Sequence, residues 1–483
     1  MKTSEVQDNE RSKKIEGDTC EKPKGFGFRH VQVILIFLCV TIAYAERVNM
    51  SVAIVAMTDR NSTNPDFPDY DWNEKEKSLV LSSFFWGYVI TQIPGGQLAK
   101  RVGGKVMLLV SITLCSLLNL LTPTFALYGD WPAIVCLRVV QGLCQGVIFP
   151  STHTLLAKWA PPSERGTIST YCYAGAQFGT VVMLAISGVL ASSAMGWPSI
   201  FYSSGVAGLV WSVLYFFYGS SSPSDCAQRI SPEEKHFIES SLNVTGDHGG
   251  RPIATPWKAL LTSPAVIALI VVHSAHNWGF WTMLTEIPSY MKNVLHFNIK
   301  QNALLSALPY FAMMVMSLIL SPLADWMNNK QILRVEVSRK VFNTIGLWGP
   351  MCALIALAYV TSKEHSALAV TLVTIAVGIN AATYLGFQIN HLDLAPNHSG
   401  TLMGITNCSA NIMSIIAPLL VGAIVTDASD PFLWRIIFFI AAGIYFFGNL
   451  QFIIFGKANI QPWNDPEAER KRNDGVENPA MEY

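Results

Sequence analysis

The chain has 483 residues, of which 51% are hydrophobic and 14% charged, and its formal net charge is +0. A typical soluble domain is about 25% charged, so this chain has too few charged residues to cover a water-exposed surface. Short alternating apolar segments, which would indicate a membrane β-barrel, do not occur either.

Apolar runs recur along the chain, and a run of about 20 residues is enough to cross the hydrocarbon core of a bilayer. They predict an all-α polytopic membrane protein. The first half has spans near 31–57, 76–99, 106–125, 132–157, 167–191 and 198–218. The second half has spans near 264–291, 302–324, 340–361, 367–390, 401–425 and 432–456. The predicted organisation is a tail (1–30), a six-helix half (31–218), a central loop (219–262), a second six-helix half (263–456) and a C-terminal tail (457–483).

The segments between the spans predict the orientation in the membrane. Nine of the 33 Lys and Arg residues lie within the spans or in the connecting segments on one side of the membrane. The others lie in the tails and connecting segments on the opposite side. Because basic residues favour the cytosolic side, both termini are predicted to be cytosolic. The first outside loop then holds a glycosylation sequon at Asn61. A capping-box pattern at Ser231 predicts a short surface helix in the central loop, which we interpret as a tether between the halves.

Two short patterns repeat between the halves. Gln97–Arg101 follows the second span, and Pro322–Trp326 follows the eighth span in a similar way. Ala-Pro occurs at 160–161 and again at 395–396, each time a few residues before a glycine. Two related six-helix halves around a central cavity are the arrangement of a secondary transporter.

Arg138 in the fourth span is the strongest functional signal. Arg138, Gln141 and Gln145 share one helical face, and no acidic residue lies beside the arginine in sequence. A guanidinium among apolar residues is costly and marks an ion or substrate path. Arg47 in the first span shares a face with Tyr44 and is expected within about 5 Å of the same depth. Two guanidiniums at one level suit a carboxylate or phosphate. The alternative role of the first-span arginine is an ion pair with the acid that precedes it.

The second half offers uncharged polar groups. His276 in the seventh span is expected to approach the anion, although a neutral histidine bonded inside the bundle is an equal alternative. Asn380, which the repeat aligns with a first-half glutamine, is expected in the polar pathway with Gln141 and Gln145. The predicted gate or structural network at the cytosolic ends consists of His391, Asp393, Asp325 and Arg165.

Three motifs resemble one known family. FFWGYVITQIPGGQLAKRVGGK (Phe84–Lys105), KWAPPSERG (Lys158–Gly166) and INHLDLAP (Ile389–Pro396) are similar to the anion–cation symporter family of the major facilitator superfamily. This family includes sialin, the vesicular glutamate transporters and the sodium–phosphate cotransporters, and the chain is nearest to its inorganic phosphate cotransporters. The resemblance implies a major facilitator fold with 12 transmembrane helices, alternating access, and anion uptake coupled to sodium or protons. It also implies that Arg47 and Arg138 bind the anion.

Three departures from the family pattern guide the functional prediction. Proton-coupled vesicular members carry a glutamate where this chain has Gln145, and an amide cannot exchange a proton at ordinary pH. The glutamate-transporting branch carries an arginine where this chain has His276, and a histidine near Leu81. We therefore predict sodium-coupled cotransport of phosphate or an organic anion at the plasma membrane. The alternative is a proton-coupled vesicular or lysosomal exporter of acidic sugars or acidic amino acids.

The predicted partners are the small anion and the lipid bilayer, without nucleic acid or an obligate protein partner. Na⁺ is the expected co-transported ion, with H⁺ as the alternative, and no cofactor or metal site is expected. A transporter-like receptor or an anion channel is the alternative from another class, although a channel would favour a repeated pore motif. An enzyme is not expected, because His391 and Asp393 form a close pair without a nucleophile motif beside them.

Overall fold

The computed structural model describes residues 23, 25–58, 67–242, 253–283, 290, 294, 299–360 and 365–465. Within these ranges the chain is helical and contains no strand. Asn61, the predicted glycosylation site, lies outside the described residues, as do most of both predicted tails.

The described helices follow the predicted order of spans. The first half contains α1 (Phe28–Thr58), α2 (Glu74–Val102), α3 (Gly104–Gln145), α4 (Ile148–Trp159), α5 (Arg165–Ala191) and α6 (Pro198–Tyr218). The central segment contains α7 (Pro232–Ser241) and α8 (Trp257–Thr262). The second half contains α9 (Pro264–Trp281), α10 (Ile299–Asn329), α11 (Val335–Leu357), α12 (Ser366–Asn380), α13 (Phe387–Leu394), α14 (Ser399–Ile424) and α15 (Pro431–Phe455).

Two predicted spans are not continuous helices. The fourth span begins in α3 after a sharp change of direction at Asp130, whose φ is 51° and ψ −158°. It is interrupted again where α3 ends at Gln145 and α4 begins at Ile148. The tenth span consists of α12 and α13, joined by a 3₁₀ turn at Ala381–Tyr384. The Asn343 side chain accepts a hydrogen bond from the Phe387 backbone N–H at 3.3 Å, so a side chain replaces a helical bond at this break.

Nine segments of the described chain are long and apolar enough to cross a membrane by length and composition. One of them, 104–159, contains two spans, because the chain turns back at Asp130. Glu74–Val102 and Pro264–Trp281 are not among the nine. The first carries polar residues along much of its length, the second carries them between His273 and Asn277, and both helices pack against α14.

The two halves meet along a long interface. The α2 helix packs against α14, and α5 packs against α10, so each contact joins one half to the other. We call the end of the bundle that carries Arg29, Arg165 and Asp393 the inner end, and the end that carries Met57 and Trp434 the outer end. Among the described residues, hydrogen bonds between the halves run from the inner end to about the middle of the bundle.

The central segment is fixed to the inner end of the first half. The predicted surface helix is present as α7, and the Ser231 side chain accepts a hydrogen bond from the Glu234 backbone N–H at 3.2 Å. The Glu234 carboxylate does not return this bond. It accepts hydrogen bonds from the Phe28 backbone N–H at 2.8 Å and from Arg29 Nη1 at 2.7 Å. The capping-box glutamate therefore anchors the start of α1, where a carboxylate also interacts favourably with the helix dipole.

Candidate functional site

A cavity of about 480 Å³ lies between the two halves. Its walls come from α1 to α5 of the first half and from α9, α10, α12, α13 and α14 of the second. Most of the lining side chains are aromatic or aliphatic, and the charged lining groups among the described residues are two arginines. The polar lining groups include Arg47, Arg138, Gln177, His273, His276, Asn277, Gln388, Asn407 and Asn411.

Arg138 reaches this cavity from α3 and is only 3% exposed. Among the described residues, its guanidinium makes no hydrogen bond or ion pair, and its Nε is a buried donor without a partner. Its Cζ lies 5.4 Å from the centroid of the Phe84 ring. A buried cation costs several kcal/mol unless it is paired, so this guanidinium is arranged for a negative group that enters the cavity.

Arg47 lines the same cavity but is more tightly held. Its Cζ lies 4.6 Å from the ring centroid of Tyr44, 4.9 Å from that of Phe84 and 4.5 Å from that of Tyr88. Its Nη2 also donates a long hydrogen bond of 3.4 Å to Gln145 Oε1. Desolvated cation–π contacts are each about 2 kcal/mol, so the rings compensate part of the charge. Both guanidiniums pack on the Phe84 ring, so the two arginines lie close together, while their equal depth in the membrane stays a prediction.

The alternative partner for Arg47 is engaged elsewhere. Glu46 is 2% exposed and accepts a hydrogen bond from Ser116 Oγ at 2.6 Å. No ion pair joins Glu46 to Arg47 among the described residues. Adjacent residues on a helix point about 100° apart, which separates the two side chains.

Two glycines of α3 hold the aromatic residues against the arginines. Gly142 lies against the backbone of Phe84 and Tyr88, and Gly146 lies against the backbone of Tyr88 and the Thr91 side chain. A Cβ atom at either glycine would collide with a carbonyl oxygen of α2. The Gly-x-x-x-Gly pattern therefore allows α2 to approach α3 closely, as such patterns do in membrane helices.

The second half contributes neutral groups to the cavity. His276 Nε2 lies 2.8 Å from Asn380 Oδ1, and Asn380 Nδ2 donates to the Gly346 carbonyl at 2.8 Å. If Nε2 donates to the amide oxygen, the neutral imidazole leaves Nδ1 as an acceptor, and this atom has no partner among the described residues. His276 lines the cavity and is also bonded inside the bundle, and its approach to the anion stays a prediction.

Three predicted pathway residues do not line the cavity. Gln141 and Gln145 are buried in the first half, and Asn380 lies behind His276. Gln145 reaches the site indirectly through its bond to Arg47. Gln141 and Gln145 share a helical face with Arg138, and Asn380 aligns with Gln145 by the repeat, but of these four residues Arg138 is the one that lines the cavity.

The inner end carries a buried ion network between the halves. Arg165 Nη1 of the first half lies 2.9 Å from Asp393 Oδ1 of the second half. Arg339 Nε lies 2.7 Å from the other oxygen of the same carboxylate. The predicted ninth span began at residue 340 and left this arginine outside, whereas it lies in α11 and is 4% exposed. Two guanidiniums therefore share one carboxylate, a partnership that the sequence prediction missed.

The other predicted gate residues also lie at this contact. Asp325 of α10 accepts hydrogen bonds from the backbone N–H groups of Gly166 at 3.0 Å and Thr167 at 2.6 Å, so it caps the start of α5 across the interface. His391 Nε2 lies 2.8 Å from Thr406 Oγ1. The structure thus brings all four predicted gate residues to the interface between the halves; their gating role stays a prediction.

Several residues of the site had no signal in the sequence. Phe84 and Tyr88 are ordinary aromatic residues of an apolar run until the fold places them around Arg47. Gln177 Nε2 donates to Tyr384 Oη at 2.7 Å across the interface, and helical spacing does not predict such a contact. Within the described ranges, no group of three or more His, Cys, Asp or Glu side chains could hold a metal ion.

The chain matches the model of one protein superfamily along most of its length. The family model described as Major Facilitator Superfamily matches residues 36–418. The chain belongs to this superfamily. It is 40% identical over 471 residues to a Drosophila ananassae protein named "Putative inorganic phosphate cotransporter", covering 93% of this chain and 95% of the relative. It is 37% identical to human sialin over 92% of both chains, and 33% identical to human vesicular glutamate transporter 2 over 92% of this chain and 76% of the relative.

These relatives confirm the predicted anion–cation symporter family of the superfamily. Solved structures agree on the fold. The proton:xylose symporter XylE, bound to a bromodeoxyglucose, matches with a TM-score of 0.66 at 16% identity, covering 89% of this chain and 96% of that chain. A double-tryptophan variant of XylE matches with a TM-score of 0.70 at 15% identity, covering 91% and 98%. The protein is therefore an all-α, multi-pass major facilitator and a transporter rather than an enzyme.

Proposed function

We propose that this transporter moves an inorganic or organic anion by alternating access, as a sodium-coupled cotransporter of phosphate or an organic anion. The observation that carries the proposal is Arg138, a buried guanidinium that lines the cavity without a partner among the described residues. Charged hydrogen bonds to a carboxylate or phosphate would satisfy its planar fork of donors. Arg47 is a second cation, packed against the same Phe84 ring as Arg138. One anionic group can therefore contact both guanidiniums.

The inner-end network supports alternating access. In this conformation the contacts of Arg165 with Asp393 and of Asp325 with the start of α5 join the halves below the cavity. An anion can leave past this end only if these contacts separate. Rocking of one half against the other is the motion expected of two related helical bundles around a fixed site.

The name of the phosphate cotransporter relative supports cotransport of phosphate, and the amide at Gln145 favours sodium over protons as the coupling ion. We propose the plasma membrane as the location, with both termini in the cytosol and glycosylation at Asn61. A second candidate is proton-coupled export of an acidic sugar or acidic amino acid from a vesicle or lysosome. The relatives named sialin and vesicular glutamate transporter favour this candidate.

The test is uptake by purified protein in proteoliposomes. Labelled phosphate, sialate, urate and glutamate are compared, with sodium replaced by choline and with the pH varied on each side. The proposal expects saturable, sodium-dependent uptake of at least one of these anions. Uptake that follows a proton gradient without sodium would instead select the second candidate, and a flux that does not saturate would indicate a channel.

A further inference from the structure

The chain folds back along the inner end of the bundle after α15. Its residues 457–465, which we call the C-terminal strap, lie beside α13 and the turn that follows α13. The Lys457 carbonyl accepts a hydrogen bond from Asn390 Nδ2 at 2.9 Å. The Gln461 backbone N–H donates to the Leu394 carbonyl, also at 2.9 Å. These bonds hold the strap against the second half.

The end of the strap is seated most tightly. Asn464 is 7% exposed, and its Oδ1 accepts a hydrogen bond from the Asn397 backbone N–H at 3.0 Å. In return, Asn397 Nδ2 donates to the Asn464 carbonyl at 3.3 Å. The centroid of the Trp463 ring lies 6.2 Å from that of the His398 ring. Two hydrogen bonds and a ring contact therefore fix the strap to the turn after α13.

His398 connects the strap to the first half. It is 1% exposed, and its Nδ1 lies 2.9 Å from Lys100 Nζ, which belongs to α2. An ammonium group can only donate, so Nδ1 is the acceptor and the ring proton lies on Nε2. The same ring lies beside the Asn464 backbone. His398 therefore has the first half on one side and the strap on the other.

The central segment reaches the same part of the inner end. Lys100 Nζ also donates a hydrogen bond to the Ile253 carbonyl, and Thr255 Oγ1 donates to Gln97 Oε1 at 3.2 Å. Gln97 Nε2 in turn donates to Thr401 Oγ1 of the second half at 2.8 Å. Both halves, the central segment and the strap therefore meet in one connected set of hydrogen bonds.

The strap also supports α13, whose Asp393 joins the halves through Arg165. This helix has eight residues and stands between the 3₁₀ turn Ala381–Tyr384 and the turn that carries His398. So short a helix owes its stability to the groups packed against it rather than to its own hydrogen bonds. The position of α13 at the inner end therefore depends on the strap.

We propose that the C-terminal strap holds the inner end closed, so that its release shifts the protein towards a conformation open at that end. The inference rests on the proposed alternating access but not on the identity of the anion or of the coupling ion. A detached strap no longer supports His398 and α13 against the first half, and the halves separate more readily. Any cytosolic factor that binds the free strap better than the seated strap favours the open conformation and regulates transport.

The test measures how readily a water-soluble reagent reaches the contact between the halves. Ser399→Cys places a thiol where the wild-type side chain is 1% exposed and its hydroxyl donates to the His153 carbonyl of the other half at 3.2 Å. The rate of maleimide labelling is measured on the full chain in lipid nanodiscs. The labelling of the native cysteines, measured without Ser399→Cys, is subtracted.

Asn464→Ala should raise the labelling rate about fivefold or more, because it removes a buried hydrogen bond from the closed conformation. Asn397→Ala removes the returning bond and should act in the same direction. Lys100→Met detaches His398 from the first half. Combined with Asn464→Ala it should add little, because both changes break the same connection.

Gln461→Ala is the matched control within the strap. The side-chain amide of Gln461 bonds to Asn459 inside the strap, and the backbone bond to Leu394 remains in the variant. Asn464→Asp is the conservative variant, since a carboxylate oxygen can still accept the bond from the Asn397 backbone N–H. Both variants should be labelled at the wild-type rate.

Equal labelling of Asn464→Ala and the wild type would overturn the inference. Equal acceleration in Gln461→Ala, or fully additive effects of Lys100→Met and Asn464→Ala, would overturn it too. If Asn464→Ala does not fold, Asn397→Ala decides in the same way. A wild type that takes up no labelled phosphate, sialate, urate or glutamate in proteoliposomes would refute the proposed function, while the labelling rates would still decide the role of the strap.

Discussion

At the residue scale, the two arginines of the cavity differ in what surrounds them. Arg47 is enclosed by three rings and bonded to Gln145, whereas Arg138 contacts one ring and has no hydrogen-bond partner among the described residues. We therefore assign the main anion contact to Arg138 and an orienting contact to Arg47. The difference is testable because lysine keeps the charge but not the planar pair of donors.

Arg138→Ala is expected to abolish anion uptake while the protein still reaches the membrane. Arg138→Lys should retain uptake with an apparent affinity lowered about tenfold or more, since a charged hydrogen bond contributes about 1.5–3 kcal/mol. Labelled-anion uptake and surface labelling measure both effects. Arg334→Ala, which removes an exposed arginine at the start of α11, is the control. Uptake by Arg138→Ala with unaltered affinity would rule out the proposed anion contact.

Gln145→Glu is expected to increase the pH dependence of uptake. A carboxylate here would face Arg47 in the place of the amide oxygen, and the charge of the pair would change when the acid takes up a proton. Uptake measured from pH 5 to pH 8 should vary more steeply than in the wild type. The same pH profile in variant and wild type would contradict this expectation.

At the element scale, the helix breaks and the close glycine contacts shape the cavity. The α2 helix does not end at Pro94, Gly95 and Gly96 but continues through them. Gly96 instead lies against the backbone of Gly400, so the small residues allow the two halves to approach. The breaks occur in the fourth and tenth spans, both of which line or support the cavity.

Gly142→Ala is expected to push α2 away from α3 and to displace Phe84 from both guanidiniums. Adding a methyl group to a packed contact typically costs about 1–3 kcal/mol, so the thermal unfolding temperature in detergent and the rate of uptake should both fall. Gly188→Ala makes the same chemical change in α5, where an added Cβ meets no atom within 4 Å. This control should behave as the wild type, and equal effects of the two substitutions would contradict the packing explanation.

At the scale of the whole molecule, the inner-end contacts determine which conformation is stable. Asp393 accepts from Arg165 of the first half and Arg339 of the second, so a single carboxylate joins the halves. The described hydrogen bonds between the halves do not reach the outer end, which fits a cavity closed at its inner side. The proposed alternating access requires this network to break and to form again in each cycle.

Asp393→Asn is expected to weaken the inner-end contact strongly. Removing one partner of a buried ion network typically costs about 3–5 kcal/mol, because the two guanidiniums stay buried without a counter-ion. The unfolding temperature should fall and uptake should slow. Glu336→Gln removes an acid from a partly exposed pair with Lys340 and should change stability by about 0.5 kcal/mol or less. Wild-type stability and uptake in the first variant would show that the network does not hold this conformation.

The sequence by itself determined the class of fold, the number of spans and the two buried arginines. These depend on local properties, namely the length of apolar runs and the cost of a charge inside a membrane, which can be read without knowing the neighbours. The motifs added the family, which the relatives then confirmed.

Only the tertiary structure decided how the buried polar groups are partnered. Glu46 could have paired with Arg47 but turns to Ser116, and Asp393 gains Arg339 from a helix 54 residues away in sequence. Phe84 and Tyr88 surround an arginine only because two glycines bring α2 against α3. Such contacts depend on the relative positions of helices that are distant in sequence, and helical periodicity fixes the faces of each helix but not its neighbours.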